Sequence, residues 1–169
     1  DDLPDSLLCQ FDHLHLGAIG VLPGLAGAAA AEVARRAHSL GLTTSLDITL
    51  NPPRDTAADV SPLLPHIDLF LPNLSEARAV LGVGDVDALL GRGLACGVRL
   101  MGLKLGEAGC WLATAEQQVH VPAFSVAAVD TVGAGDAWSV AVVYGWRLGW
   151  PLAEIGRFAN AAGALATLQ

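Results

Sequence analysis

Apolar residues follow one another along this chain in two rhythms. Short runs bounded by Gly, Pro or charged residues fall at 12–19, 43–48, 67–71 and 98–104. Longer stretches between them carry polar residues on one helical face. The runs around His13-Leu14-His15-Leu16, Thr43-Thr44-Ser45-Leu46-Asp47-Ile48, Ile67-Asp68-Leu69-Phe70-Leu71 and Val98 to Lys104 predict strands. Residues 24–40 predict an Ala-rich helix, with Glu32, Arg35 and Arg36 on its wet face and Gly41 as its stop. A polar, proline-interrupted helix is expected over 54–66, another after Asn73, and a third from about Asp85 to Cys96. Cys110-Trp111-Leu112-Ala113 and Gln118-Val119-His120-Val121 make a hairpin-like pair, and helices over 135–148 and 152–168 are separated by Gly149-Trp150-Pro151. Strand–helix–strand repetition implies right-handed parallel crossovers. The expected fold is therefore a three-layer α/β domain, a mainly parallel sheet flanked by helices, with its cleft at the strands' carboxyl ends.

Composition narrows the partners. A chain of 169 residues, 53% hydrophobic and 15% charged, suits a single globular domain over 1–169. With a formal charge of −8 and no basic cluster larger than Arg35-Arg36, neither nucleic acid nor an anionic membrane is an expected partner. A phosphate ligand would thus depend on backbone groups, a metal and a few cations, which singles out Lys104, the only lysine. Cys9, Cys96 and Cys110 are odd in number, widely spaced and set in apolar sequence. They read as buried, reduced thiols of a cytoplasmic protein, not as a disulfide framework or zinc site. The uncharged run from Leu14 to Ala31 contains Pro23 and fits a strand, a turn and a small-residue helix better than a membrane span. His13 and His15 share a strand face without a third ligand nearby in sequence, which favours ordinary strand histidines over a metal pair.

The candidate chemistry gathers at Asp130-Thr131-Val132-Gly133-Ala134-Gly135-Asp136. Small residues at the mouth of an apolar helix leave backbone N–H groups facing outward, and the helix dipole adds partial positive charge there. Asp136 beside such an anion site could take the proton of a hydroxyl attacking a bound phosphate. The plainer reading is a helix opening at a Gly-rich loop, with Asp136 a favourable first-turn acid. Asn73 and Glu76, three apart, can offer two oxygens to a hydrated Mg²⁺, or simply start a helix. Asp47, at a strand's carboxyl end, can position substrate or cap a loop. Lys104 at a strand end would reach either a phosphate or an acid partner, and Asn160 lies among small residues on the last helix.

Asp130 to Asp136 resembles the C-terminal signature of the ribokinase-like (PfkB) carbohydrate kinases. Leu71-Pro72-Asn73-Leu74-Ser75-Glu76-Ala77 resembles the family's P-N-x-x-E segment, Lys104-Leu105-Gly106-Glu107-Ala108-Gly109 its G-x-x-G strand end, and Phe158 to Ala164 the late helix beside the nucleotide base. Thr49-Leu50-Asn51-Pro52-Pro53-Arg54 resembles its D-x-N-x-R stretch loosely, with Thr49 where asparagine is expected. The resemblance implies an ATP- and Mg²⁺-dependent kinase acting on an alcohol of a sugar or nucleoside-like small molecule. Asp136 would be the general base, and Gly133, Ala134 and Gly135 the anion hole. Lys104, Gly106, Gly109, Thr131 and Asn160 would lie on the nucleotide, Asn73 and Glu76 near Mg²⁺ through water, and Asp47 near substrate. It also implies a monovalent cation beside Asp130 and the Val132 carbonyl, and allows a homodimer. Family members usually begin with a further αβ region and a β lid that this chain lacks. The alternative is therefore a truncated, inactive nucleotide-binding or scaffold remnant.

Overall fold

The computed structural model describes residues 3–19, 21, 24–50, 52 and 55–168. The chain divides into two compact units, Asp1–Met101 and Gly102–Gln169.

In the first unit, β1 (His13–Ile19), β2 (Thr43–Ile48), β3 (Leu69–Phe70) and the start of β4 (Leu100–Lys104) pair in parallel. Register runs from His13 opposite Thr43 to Leu16 opposite Leu46, then shifts before Ile19 meets Ile48. Ala18, at φ 55°, lies inside that irregularity, where an extra residue bends the strand. The third strand is shorter than its apolar run, yet the ladder extends past it: Asp68 N–H donates to Thr44 C=O at 3.1 Å and Leu71 N–H to Leu46 C=O at 3.0 Å. Asp68 is buried, and its charge is met by the Thr44 N–H at 2.8 Å and by Arg99 at 3.5 Å. Leu46, Leu69, Phe70, Leu100 and Met101 are fully enclosed and form the core of this unit.

The helices here are α1 (Asp5–Leu8), α2 (Gly27–Ser39), α3 (Thr56–Val60), α4 (Leu74–Leu81) and α5 (Val86–Ala95). The single helix expected over 54–66 is instead α3 followed by a 3₁₀ turn at Leu64–His66. Pro62 and Pro65 explain the break, since neither can donate the N–H that would carry the helix onward. Pro23 lies outside the described residues.

The second unit holds the end of β4 and the antiparallel pair β5 (Cys110–Ala113) and β6 (Gln118–Val121), with Cys110 opposite Val121. It also holds α6 (Ala134–Arg147) and α7 (Leu152–Ala166). Parallel strands with crossover helices, finished by an antiparallel hairpin, make this a mixed α/β sheet, as the apolar rhythm predicts. No helix among the described residues is long and apolar enough to cross a membrane.

The cysteines depart from expectation. Cys110 is buried, but Cys96 is half-buried and Cys9 exposed. Cys9 is the residue after the four-residue α1, and only Leu8 of that helix is buried.

Candidate active site

The first turn of α6 carries most of the candidate chemistry. The loop leading to it is tethered at its end, where Val129 and Asp130 N–H both donate to Thr167 C=O, at 2.7 and 3.2 Å. Asp130 Oδ1 then accepts Val132 N–H at 2.9 Å, a side-chain turn that orients the loop, and Ala134 N–H turns back to Thr131 C=O at 3.2 Å. Gly133 is the N-cap with φ 81°, a left-handed conformation that glycine adopts without a Cβ penalty, and no side chain caps the helix. Asp136 is exposed in this turn. One of the three expected anion-hole amides, that of Ala134, is thus engaged within the loop, and the amide of Gly135 follows it in the uncapped turn.

Lys104, at the end of β4, reaches the same turn. Its Nζ lies 3.4 Å from Ser139 Oγ and 5.9 Å from the centre of the Trp138 ring, and a Cβ on Gly135 would sit 3.6 Å from it. After Lys104 the chain makes a 3₁₀ turn over Gly106–Ala108. Gly109 closes that turn at φ 89°; a Cβ there would meet Val121 O at 2.1 Å, so the close approach of β6 requires glycine. Gly106 faces open space, and the His120 ring bonds Ala108 C=O at 2.9 Å, a clamp with no signal in the sequence pattern.

Asn160, on α7, is buried. Its Oδ1 accepts Trp138 Nε1–H at 2.9 Å, and its Nδ2 donates to Val121 C=O at 3.0 Å and Pro122 C=O at 3.1 Å. It therefore ties α6, α7 and the exit of β6 together, a structural role that its sequence setting left open. Beside it, burial pushes the Cys110 thiol up to about 11, against hydrogen bonds from Trp138 and Asn160 that favour the thiolate. Trp138 and Ser139 escape sequence reasoning because their only signal is two polar-tipped side chains in the turn following Asp136.

In the first unit, Asn73 and Glu76 form a reciprocal capping box: Glu76 N–H donates to Asn73 Oδ1 at 3.0 Å and Asn73 N–H to Glu76 Oε2 at 2.7 Å. The acceptors of both side chains are hard oxygens. Asp47 is buried at the end of β2, and its Oδ1 accepts the N–H of Ile48 at 2.9 Å. Asn51, Pro53 and Arg54 lie outside the described residues. His13 and His15 share Ser45 Oγ, at 2.8 and 2.7 Å, and no group of three or more His, Cys, Asp or Glu side chains among the described residues could hold a metal ion.

Structural comparison defines the class: the protein has a ribokinase-like α/β fold. Putative ribokinase II of E. coli, solved in complex with ATP and Mg²⁺, superposes with a TM-score of 0.84 at 23% identity, over 98% of this chain and 55% of that one. The pfkB family carbohydrate kinase model matches residues 2–169, and the chain belongs to that family. An ATP-dependent ribose-1-phosphate kinase of Halopiger xanaduensis is 30% identical over 166 residues, which are 98% of this chain and 51% of that protein. An uncharacterized sugar kinase of Archaeoglobus fulgidus is 33% identical over 106 residues, 63% of this chain and 42% of that protein. The chain spans about half the length of the curated relatives it matches.

Proposed function

We propose that the protein carries the nucleotide and catalytic side of an ATP-dependent phosphotransferase whose acceptor is an alcohol group of a sugar or related small molecule. The observation that carries this reading is Asp136, exposed in an uncapped helix turn, with the Lys104 ammonium beside Gly135 in the same turn. Membership of a carbohydrate kinase family supports it.

In this reading the Asp136 carboxylate accepts the proton of the attacking hydroxyl, while the turn Gly133-Ala134-Gly135 and Lys104 meet negative charge on the transferred phosphoryl group. The Gly135 amide and the lysine take the larger share, because the Ala134 N–H already has Thr131 as its acceptor. Gly106, Gly109 and Thr131 shape the nucleotide side, and Asn160 supports it from behind through β6. Asn73 and Glu76 would hold Mg²⁺ through its waters; their oxygen acceptors suit a hydrated hard cation, which supplies neutralisation of phosphate charge. Asp130 and the Val132 carbonyl would hold a monovalent cation, and Asp47 would face the acceptor. An ADP-release assay over a panel of pentoses and hexoses tests the proposal. Sugar-dependent ADP release by the protein but not by Asp136→Asn is expected, and equal release by both would remove Asp136 from the chemistry.

A further inference from the structure

Trp138 has no part in the chemistry above, yet it touches Lys104, which meets phosphoryl charge in that reading, and Asn160, which supports the nucleotide side from behind. Its indole ring lies under Lys104 Nζ at 5.9 Å, within cation–π range, and its Nε1–H donates to Asn160 Oδ1 at 2.9 Å. The indole nitrogen is only a donor, while the Val121 and Pro122 carbonyls that Asn160 Nδ2 meets are only acceptors. The Asn160 amide therefore has one orientation that satisfies every partner, and the indole donor fixes it together with the two carbonyls. A phenylalanine would fill the space and leave Asn160 Oδ1 without this donor. Trp138 is itself buried, two residues after Asp136 on α6, and residues two apart do not share a helix face. Asp136 can thus face outward while Trp138 faces inward.

We propose that Trp138 is a positioning residue for nucleotide binding, setting Lys104 at Gly135 through its ring and the Asn160 amide through its N–H. The inference rests on the kinase reading given above. Without the indole donor the Asn160 amide and the β6 exit it holds lose part of what fixes their position on the nucleotide side, so Trp138→Phe is expected to raise the KM for ATP about tenfold, with the loss in nucleotide KM and not in kcat. In an Asn160→Ala background the same substitution should change the KM by less than about twofold, since its partner is already gone.

ADP titration of the parent protein by calorimetry separates the two readings. No ADP binding by the parent overturns the kinase reading and this inference with it. Binding by the parent with unchanged affinity in Trp138→Phe, or equal effects of Trp138→Phe with and without Asn160, overturns the inference alone. A lowered melting temperature with unchanged nucleotide KM likewise overturns the inference alone, because a packing role would give that pattern. Should Trp138→Phe fold poorly, the indole N–H resonance of Trp138 in the parent decides: it is expected to move as ADP is added, and a fixed resonance at saturating ADP overturns the inference.

Discussion

Two helices of this protein start with an acid at the same position and put it to opposite use. In α4 the cap is Asn73 and the acid three residues on is Glu76; in α6 the cap is Gly133 and the acid three residues on is Asp136. Glu76 folds back onto the Asn73 N–H, becomes buried, and closes the helix end. Asp136 is one methylene shorter, faces a glycine that offers no side-chain acceptor, and remains exposed. The comparison shows why an acid in a first turn is ambiguous in sequence. The length of its side chain and the identity of the cap decide whether it closes the helix or stays available to a ligand.

The largest effect that tests this contrast is on turnover. Asp136→Asn should lower phosphoryl transfer on the order of 10²–10⁴-fold, the usual range for a general base, with the melting temperature nearly unchanged. A drop of only a few-fold in steady-state kinetics, or activity lost together with the fold, would make Asp136 the counterpart of Glu76 after all.

A smaller effect is expected from Gly133→Ala. Nothing lies within 4 Å of the added Cβ, so the cost is the left-handed backbone at φ 81° alone, about 1–2 kcal/mol, read from the urea midpoint. A stability unchanged within error would mean that the cap does not need glycine.

Glu76→Gln keeps an oxygen for the Asn73 N–H, so stability should move by only a few tenths of a kcal/mol. If the residue also faces hydrated Mg²⁺, the magnesium dependence of turnover should weaken more than nucleotide binding. Identical magnesium curves for variant and parent would leave Glu76 as a cap only.

The smallest expected effect concerns the buried start of β5. Burial raises the Cys110 thiol from its ordinary 9.0 to about 11, so the folded state holds that proton more tightly than the unfolded chain. Its contribution to stability is complete below pH 9 and is lost as pH rises from about 9 through about 11. At pH 8, mass spectrometry after alkylation of the native protein should find Cys9 modified and Cys110 intact. Modification of Cys110 at the same rate would contradict its burial.

What was legible in the sequence is local. Apolar runs placed the parallel strands within a few residues, Asn73, Asp85, Gly133 and Pro151 marked helix starts, and Gly41 marked a stop, because backbone conformation at these positions is chosen by the residue and its nearest neighbours. The Asp130–Asp136 loop and Lys104 were visible as candidates for the same reason: one is a glycine-rich helix mouth, the other the only lysine. Folding in three dimensions set what those residues touch. It brought Lys104 to Gly135, joined Asn160 to Trp138 and the exit of β6, and left Cys9 in solvent while enclosing Cys110. Each of these outcomes depends on groups distant in sequence meeting in space, and burial and hydrogen-bond pairing are properties of that meeting, which no short stretch of chain contains.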